Sequence, residues 1–324
     1  MGVLVLGMHR SGTSVAARAV NLLGVPFGCG RLVPTTDGNP LGHWEHWALQ
    51  DVNNDLLHAF GGNWAGPPTL DAQWEYDPRA EQFIGRAAET WLTAHRSEPW
   101  LWKDPRTCLT LPFWRRAVDF SPVAILIYRH PLEVASSLAA RNGFSATASL
   151  ALWERYTRDA LTGMAGWPVL VTSHSDLMAD PLEWAKEVRE FLVDHGVAIG
   201  LDNWRVEQAA RSVVPQLRRS PEVGPTTTDG LSVAQTRLIE TVRRLMGRHG
   251  QWEPPELIPA TPWMDVLIAE QGRSYQRELE LRGELDLTRS KLGYVINRTR
   301  AKVLTYRLYD RVAPGWLPRR EQHG

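Results

Sequence analysis

GMHRSGTS, residues 7–14, places two glycines, an arginine and three hydroxyl side chains within one short stretch. Between a strand and a helix, such a stretch binds anions. Backbone N–H groups converge there, and the helix N-terminus adds partial positive charge. Gly7 and Gly12 let the backbone come close to a phosphate, while Ser11, Thr13 and Ser14 add donors. Arg10 brings a full charge, and His9 completes the expected contacts. The outline is that of G-x-x-x-x-G-K-[ST], but Thr13 stands where the lysine belongs. Mg²⁺-dependent nucleotide hydrolysis also requires an Asp at the end of a second strand. Here that strand, VAILIY at 123–128, runs into Arg129 and His130. The residues therefore predict a cation, not a metal, at the reacting group.

Arg129 has a companion. In YRHPLEVASSL, residues 128–138, Ser137 follows it by eight positions, two turns into the next helix. One guanidinium and one hydroxyl at a strand–helix junction form a phosphate clamp. With both stretches in view, GMHRSGTS resembles the 5′-phosphosulfate loop of sulfotransferases that use 3′-phosphoadenosine 5′-phosphosulfate (PAPS). YRHPLEVASSL is similar to that family's 3′-phosphate motif. The resemblance implies that Arg10 contacts the transferring sulfuryl group and the bridging oxygen, and that Arg129 and Ser137 hold the 3′-phosphate. A sulfuryl group carries less charge than a phosphoryl group, so a guanidinium suffices where Mg²⁺ otherwise acts. HSDLMADPLEWAKEVREFL (174–192) resembles the family's third segment, with Asp176 and Asp180 as helix caps. LWKDPR (101–106) is similar to an element of bacterial and glycan-modifying members. The resemblance spans about residues 2–220. It implies a three-layer α/β P-loop fold with a central parallel sheet, PAPS as co-substrate without a metal, and an acceptor hydroxyl on a sugar, glycolipid or glycosylated natural product. The rival readings are a P-loop small-molecule kinase and a non-catalytic nucleotide-binding scaffold.

Transfer to a hydroxyl requires a base. NPLGHWEHW (39–47) offers Glu45, His43 and His46. Glycan- and lipid-type relatives use an acidic residue in this region, which makes Glu45 the expected base and His43 the runner-up. Trp44 and Trp47 are expected to exclude water and raise the Glu45 pKa. The plain alternative is a carboxylate complementing a helix dipole. His46 is expected to lie at the surface or to stack. Lys103 and Arg106 are expected to enter the cleft and bind the sulfuryl oxygens or an anionic acceptor; the alternative is an ion pair with Asp104 or a neighbour. Arg218 and Arg219 are expected to close over the nucleotide. Trp64, Trp74, Trp91 and Trp100 stand where acceptor loops belong, with ordinary packing the competing reading. His58, His95, His174, His195 and His249 show no metal-ligand spacing.

Positioning these groups requires alternating strands and helices. GVLVLG (2–7), WLWKDPR (100–106), VAILIYRHP (123–131) and PVLVTSH (168–174) read as strands, three of them continuous apolar runs suited to a sheet buried on both faces. Helices are expected after the loop, over 44–60, 78–96, 131–141, 147–165, 180–196 and 231–249. The crossovers imply right-handed connections. The organisation expected is a domain over 1–250, a Pro-rich linker over 251–262 and a basic helical arm over 263–324.

Composition sets the outer limits. The 324 residues are 43% hydrophobic and 22% charged, ordinary for a globular chain with a sizeable core. Formal net charge is zero, which gives no cue for nucleic acid. Two cysteines exclude a disulfide framework and a cysteine-rich zinc site. No apolar run is long enough to span a membrane, and a cytoplasmic location is expected. Residues 289–324 hold nine Lys/Arg against two Asp/Glu. Leu281, Leu285, Leu292, Ile296 and Val303 form a helical stripe there. A homo-oligomer through this helix is the expected use, with peripheral attachment to an anionic inner-membrane face as the alternative.

Overall fold

A computed structural model describes residues 1–35, 39, 41–96, 98–214, 224 and 227–312, with the side chains of the last helix described as far as Leu292. Arg218 and Arg219 lie outside the described residues.

The chain opens with β1 (Val3–Leu6), every residue buried, which feeds the glycine loop and then α1 (Thr13–Leu22). Before the next strand the described residues form α2 (Trp47–Ala59), a short 3₁₀ helix (Trp74–Tyr76), α3 (Pro78–Glu81) and α4 (Ile84–Ala94). Next come β2 (Leu101–Lys103), α5 (Thr107–Ala117), β3 (Val123–Tyr128), α6 (Pro131–Asn142) and α7 (Ala146–Gly163). The remainder is β4 (Val169–Ser173), α8 (His174–Ala179), α9 (Pro181–Asp194), α10 (Asn203–Ser212), α11 (Val233–Arg244), β5 (Gly247–His249) and α12 (Met264–Val312).

One five-stranded sheet has the order β2-β1-β3-β4-β5. The first four strands are parallel, with Val3 beside both Leu101 and Val123, and Ala124 beside Val169. β5 pairs antiparallel with β4 at the edge, so the sheet is mixed. The helix expected over 231–249 is therefore α11 followed by a strand. Val3, Val5, Ile125 and Leu170 turn one sheet face to α1, α9 and α10, where Ala16, Val20, Trp184, Phe191 and Val206 complete a core. On the other face Leu126 and Tyr128 meet Trp153 and Tyr156 of α7 and Val242 of α11. Both faces are covered, as the unbroken apolar strands require. The architecture is a three-layer α/β sandwich.

The chain divides into two compact units, residues 1–272 and 273–324. The Pro-rich stretch 251–262 belongs to the first unit. Trp252 is buried and donates Nε1–H to the Leu161 carbonyl at 2.7 Å. Thr261 donates its N–H to Glu154 at 2.9 Å. Met264 and Ile268, in the first turns of α12, are buried there too.

Most of the tryptophans expected at the acceptor are packing residues. Trp91 meets Trp100 and Trp102 edge-on, and Trp102 meets Trp114. His95 lies in this aromatic cluster, 4.1 Å from Trp91 between ring centroids, with neither ring nitrogen hydrogen-bonded. Burial lowers its pKa to about 3. The unfolded chain thus takes up this proton first, near pH 6.5. Stability should fall as pH drops from there towards 3, by up to about 1.4 kcal/mol per pH unit from this group. Urea unfolding at successive pH values should show a shallower slope for His95→Leu than for the parent; identical slopes would exclude His95 as the source.

Candidate functional site

The carboxyl ends of the four parallel strands open into one cleft of about 1030 Å³, part of it open to solvent. Ligands of open α/β sheets bind at such an edge. Its floor is the loop after β1. Gly7 has φ 144°, and a Cβ there would lie 2.6 Å from the Ile127 carbonyl oxygen, so the loop can pass β3 only as glycine. Its N–H donates to Cys108 Sγ at 3.3 Å, a thiol that burial pushes up to about 12 and so keeps protonated at neutral pH. Gly12, at φ 91°, caps α1, and a Cβ there would meet the His174 ring at 2.5 Å. Arg10 itself has φ 71°, a left-handed conformation that is costly for a residue with a Cβ. The first-turn N–H groups of α1 have no intrahelical carbonyl to bond, and Gly12, Thr13 and Ser14 line the cleft.

The two stretches expected to bind anions meet. Arg10 donates Nε–H to Ser137 Oγ at 2.9 Å, and Arg129 donates Nη1–H to the Arg10 carbonyl at 2.9 Å. Arg129 also pairs through Nε with Glu133, one helical turn on, at 2.9 Å. Pro131 at the first position of α6 and the His130 ring accepting from the Leu132 N–H fix the start of the helix that carries Ser137. His9, Arg10, Thr13, Ser14, His43, Glu45, Lys103, Arg129 and Ser137 all line this cleft. Its described lining has five Lys/Arg and one carboxylate, a balance suited to a ligand with several negative charges.

Two expected contacts lie elsewhere. Ser11 is buried beneath the loop, beside Tyr128 and Tyr156, and does not line the cleft. Arg106 turns inward, donating to Asp104 Oδ1 at 2.9 Å and lying 3.5 Å from Glu45 Oε2, so it takes the ion-pair alternative. Lys103 reaches the cleft, yet its ammonium is held by Glu45 Oε1 and the His43 carbonyl, both at 2.6 Å. Asp180 caps α9 through Glu183 N–H. His46 is buried, with Nε2 2.7 Å from the Cys29 carbonyl oxygen, which corrects its expected surface placement.

The electrostatics of Glu45 run opposite to expectation. Burial pushes its pKa up, but Lys103 and Arg106 outweigh burial and hold it below the ordinary carboxylate range. Gln50 donates to Oε2 as well, at 2.6 Å. Of the two neighbouring indoles expected to raise it, Trp47 is exposed and Trp44 stacks on Phe27. His43 shows the complementary pattern. Burial lowers its pKa, Glu45 raises it, and Lys103, Arg141 and Arg10 lower it further; the net shift is downward, which leaves the imidazole neutral at pH 7. His9, between Trp64 and Tyr156, is also kept neutral, first by burial and then by Arg106 and Lys103.

Four lining residues carry no signal that the motifs alone reveal: Arg18, Asn39, Arg141 and His174. Arg18 lies one turn past Ser14 and has a buried Nη1 without a hydrogen-bond partner. Arg141 lies one turn past Ser137, and His174 directly follows β4. Helical spacing from the motif residues, and the rule that ligands sit at strand carboxyl ends, would have found all three. Asn39 donates to Ser14 Oγ at 3.2 Å, which in turn donates to the His43 carbonyl at 3.1 Å.

No family model matches the chain, and no curated protein matches it. Solved structures do. A sulfotransferase from Mycobacterium tuberculosis H37Rv is 16% identical, with 75% of each chain covered and a TM-score of 0.37. The sulfotransferase domain of the curacin biosynthetic pathway is 14% identical over 83% of this chain and 96% of its own, with a TM-score of 0.38. The sulfotransferase domain of the Synechococcus PCC 7002 olefin synthase is 16% identical over 83% and 94%, with a TM-score of 0.37.

Proposed function

We infer that this chain transfers a sulfuryl group from PAPS to an acceptor hydroxyl. The observation that carries this reading is the junction of Arg10, Arg129 and Ser137 in one electropositive cleft, linked by bonds of 2.9 Å. A nucleotide with phosphate at both its 3′ and 5′ positions carries anionic groups for both stretches. Arg10 and the first-turn N–H groups of α1 would hold the 5′-phosphosulfate. Arg129 and Ser137 would hold the 3′-phosphate, with phosphate and sulfuryl oxygens replacing the bond that now joins Arg10 to Ser137.

Attack by the acceptor oxygen forms an S–O bond as the bond from sulfur to the bridging oxygen breaks. Negative charge then grows on the departing phosphate, where Arg10 stabilises it. The acceptor proton goes to His43, a neutral imidazole in the cleft. Glu45 is too strongly stabilised as an anion to be an effective base; it fixes Lys103 beside the His43 carbonyl. The acceptor class, a hydroxyl on a sugar, glycolipid or glycosylated natural product, rests on the motif resemblance. Among the described residues no helix is long and apolar enough to cross a membrane.

Thermal unfolding tests the reading. 3′-Phosphoadenosine 5′-phosphate (PAP) at about 100 times its Kd should stabilise the chain by about 2.7 kcal/mol, and Arg10→Ala should reduce that shift at the same concentration. ATP with Mg²⁺ should stabilise less. A larger shift with ATP and Mg²⁺ would favour the kinase instead.

A further inference from the structure

We propose that residues 278–306 of α12 pair antiparallel with the same segment of a second copy of this chain. α12 continues for 49 residues, far longer than an ordinary globular helix. Within its second unit, Leu281, Leu285 and Leu292 are 59%, 49% and 59% exposed. A helix that leaves such residues in water gains no burial to hold it, and most helical stability in proteins comes from packing an apolar face. The stripe requires a partner.

Its spacing specifies what kind. Leu281, Leu285, Leu292, Ile296 and Val303 follow one another at intervals of 4, 7, 4 and 7. That is an 11-residue repeat, 3.67 residues per turn, which keeps one seam on one side of a nearly straight helix. Thr288 and Thr299 repeat in the same phase. A self-complementary seam of this kind serves a helix pair better than a flat lipid surface.

Charge selects the direction. Residues 278–288 hold four carboxylates, Glu278, Glu280, Glu284 and Asp286, against one arginine, Arg282. Residues 296–306 hold Arg298, Arg300 and Lys302 and no carboxylate. Antiparallel pairing centred on Leu292 sets the acidic segment of each copy on the basic segment of the other, with Leu281 opposite Val303. Parallel pairing would face three cations with three cations, a repulsion that helix pairs select against. An anionic membrane would attract the basic segment and repel the acidic one, which is why a second copy is the better occupant.

Sedimentation and crosslinking test this on the full chain. The parent should sediment as a dimer of twice 36.5 kDa, and Leu285→Glu with Leu292→Glu should return it to the monomer mass. In a Cys29→Ser background, which removes the exposed thiol, Leu281→Cys and Val303→Cys chains are oxidised singly and mixed. The mixture should crosslink and neither chain alone should, because antiparallel copies hold their two 281 positions about 33 Å apart. Efficient crosslinking of Leu281→Cys alone would establish a parallel pair and overturn the proposal. So would a monomeric parent chain, including one that floats with phosphatidylserine vesicles and loses that binding when Leu285 and Leu292 are replaced. The crosslink reports on direction even if the double glutamate variant loses its helix.

Discussion

His43→Ala should lower kcat by about 10²–10⁴-fold, the range a positioned general base contributes, while PAP affinity changes little. The separation follows from how His43 is held. Its carbonyl, not its ring, accepts from Lys103 Nζ and Ser14 Oγ, so truncating the side chain leaves the loop's anchors in place. Activity in the parent should also fall on the acid side only as pH passes below the ordinary histidine range. Burial, with Lys103, Arg141 and Arg10, lowers the His43 pKa against the opposing pull of Glu45, so the neutral form persists below pH 6.5. Steady-state kinetics across pH with PAPS and any alcohol that accepts the sulfuryl group gives both results. A kcat within a few-fold of the parent would exclude His43 as the base.

Lys103→Met should cost about 3–5 kcal/mol of folding stability, the usual loss when one partner of a buried ion pair is removed. Lys103 and Glu45 are both buried and 2.6 Å apart. Removing the ammonium strands the carboxylate with only Arg106 at 3.5 Å and the Gln50 amide. Adding Glu45→Gln to Lys103→Met should restore most of the loss, because no buried charge is then left unpaired. The sign with pH is fixed by the direction of the Glu45 shift. Its folded pKa is lowered, so its contribution is present above the unfolded value near 4.3 and lost as pH falls through the folded one. Urea unfolding at pH 7 should therefore show the full effect, and equal stabilities of the single and double variants would refute the coupling.

The legible parts of this chain are those whose physics is local. β1, β3 and β4 are apolar runs that only a doubly covered sheet accommodates. The glycine loop and the Arg129–Ser137 spacing each read as anion sites within a dozen residues. Elements without a local pattern were hidden. β5 is three residues, Gly247–His249, with no apolar member, and is a strand only because β4 offers an edge. α5 contains Pro112, a residue that argues against a helix from sequence. The electrostatics of the site were hidden for a different reason. Trp44 and Trp47 adjoin Glu45 in sequence, but Lys103, 58 positions away, determines its ionisation. The same holds for Arg106, whose carboxylate partner Asp104 is near in sequence while its second, Glu45, is brought by the fold. The tryptophans misled because an indole suits a sugar and a core equally; Trp91 and Trp100 are core.

Titration calorimetry of PAP against adenosine 5′-monophosphate decides whether one nucleotide spans Arg10 and Arg129. The two differ only by the 3′-phosphate. Contacts from a guanidinium and a hydroxyl should favour PAP by about 100-fold or more, at about 1.5–3 kcal/mol for a hydrogen bond to a charged group. Arg129→Met combined with Glu133→Gln, which removes both members of that ion pair, should cut the preference about ten-fold or more and leave the share that Ser137 contributes. Equal affinities for the two nucleotides, or a preference that the double replacement leaves undiminished, would mean that no shared nucleotide joins the two arginines.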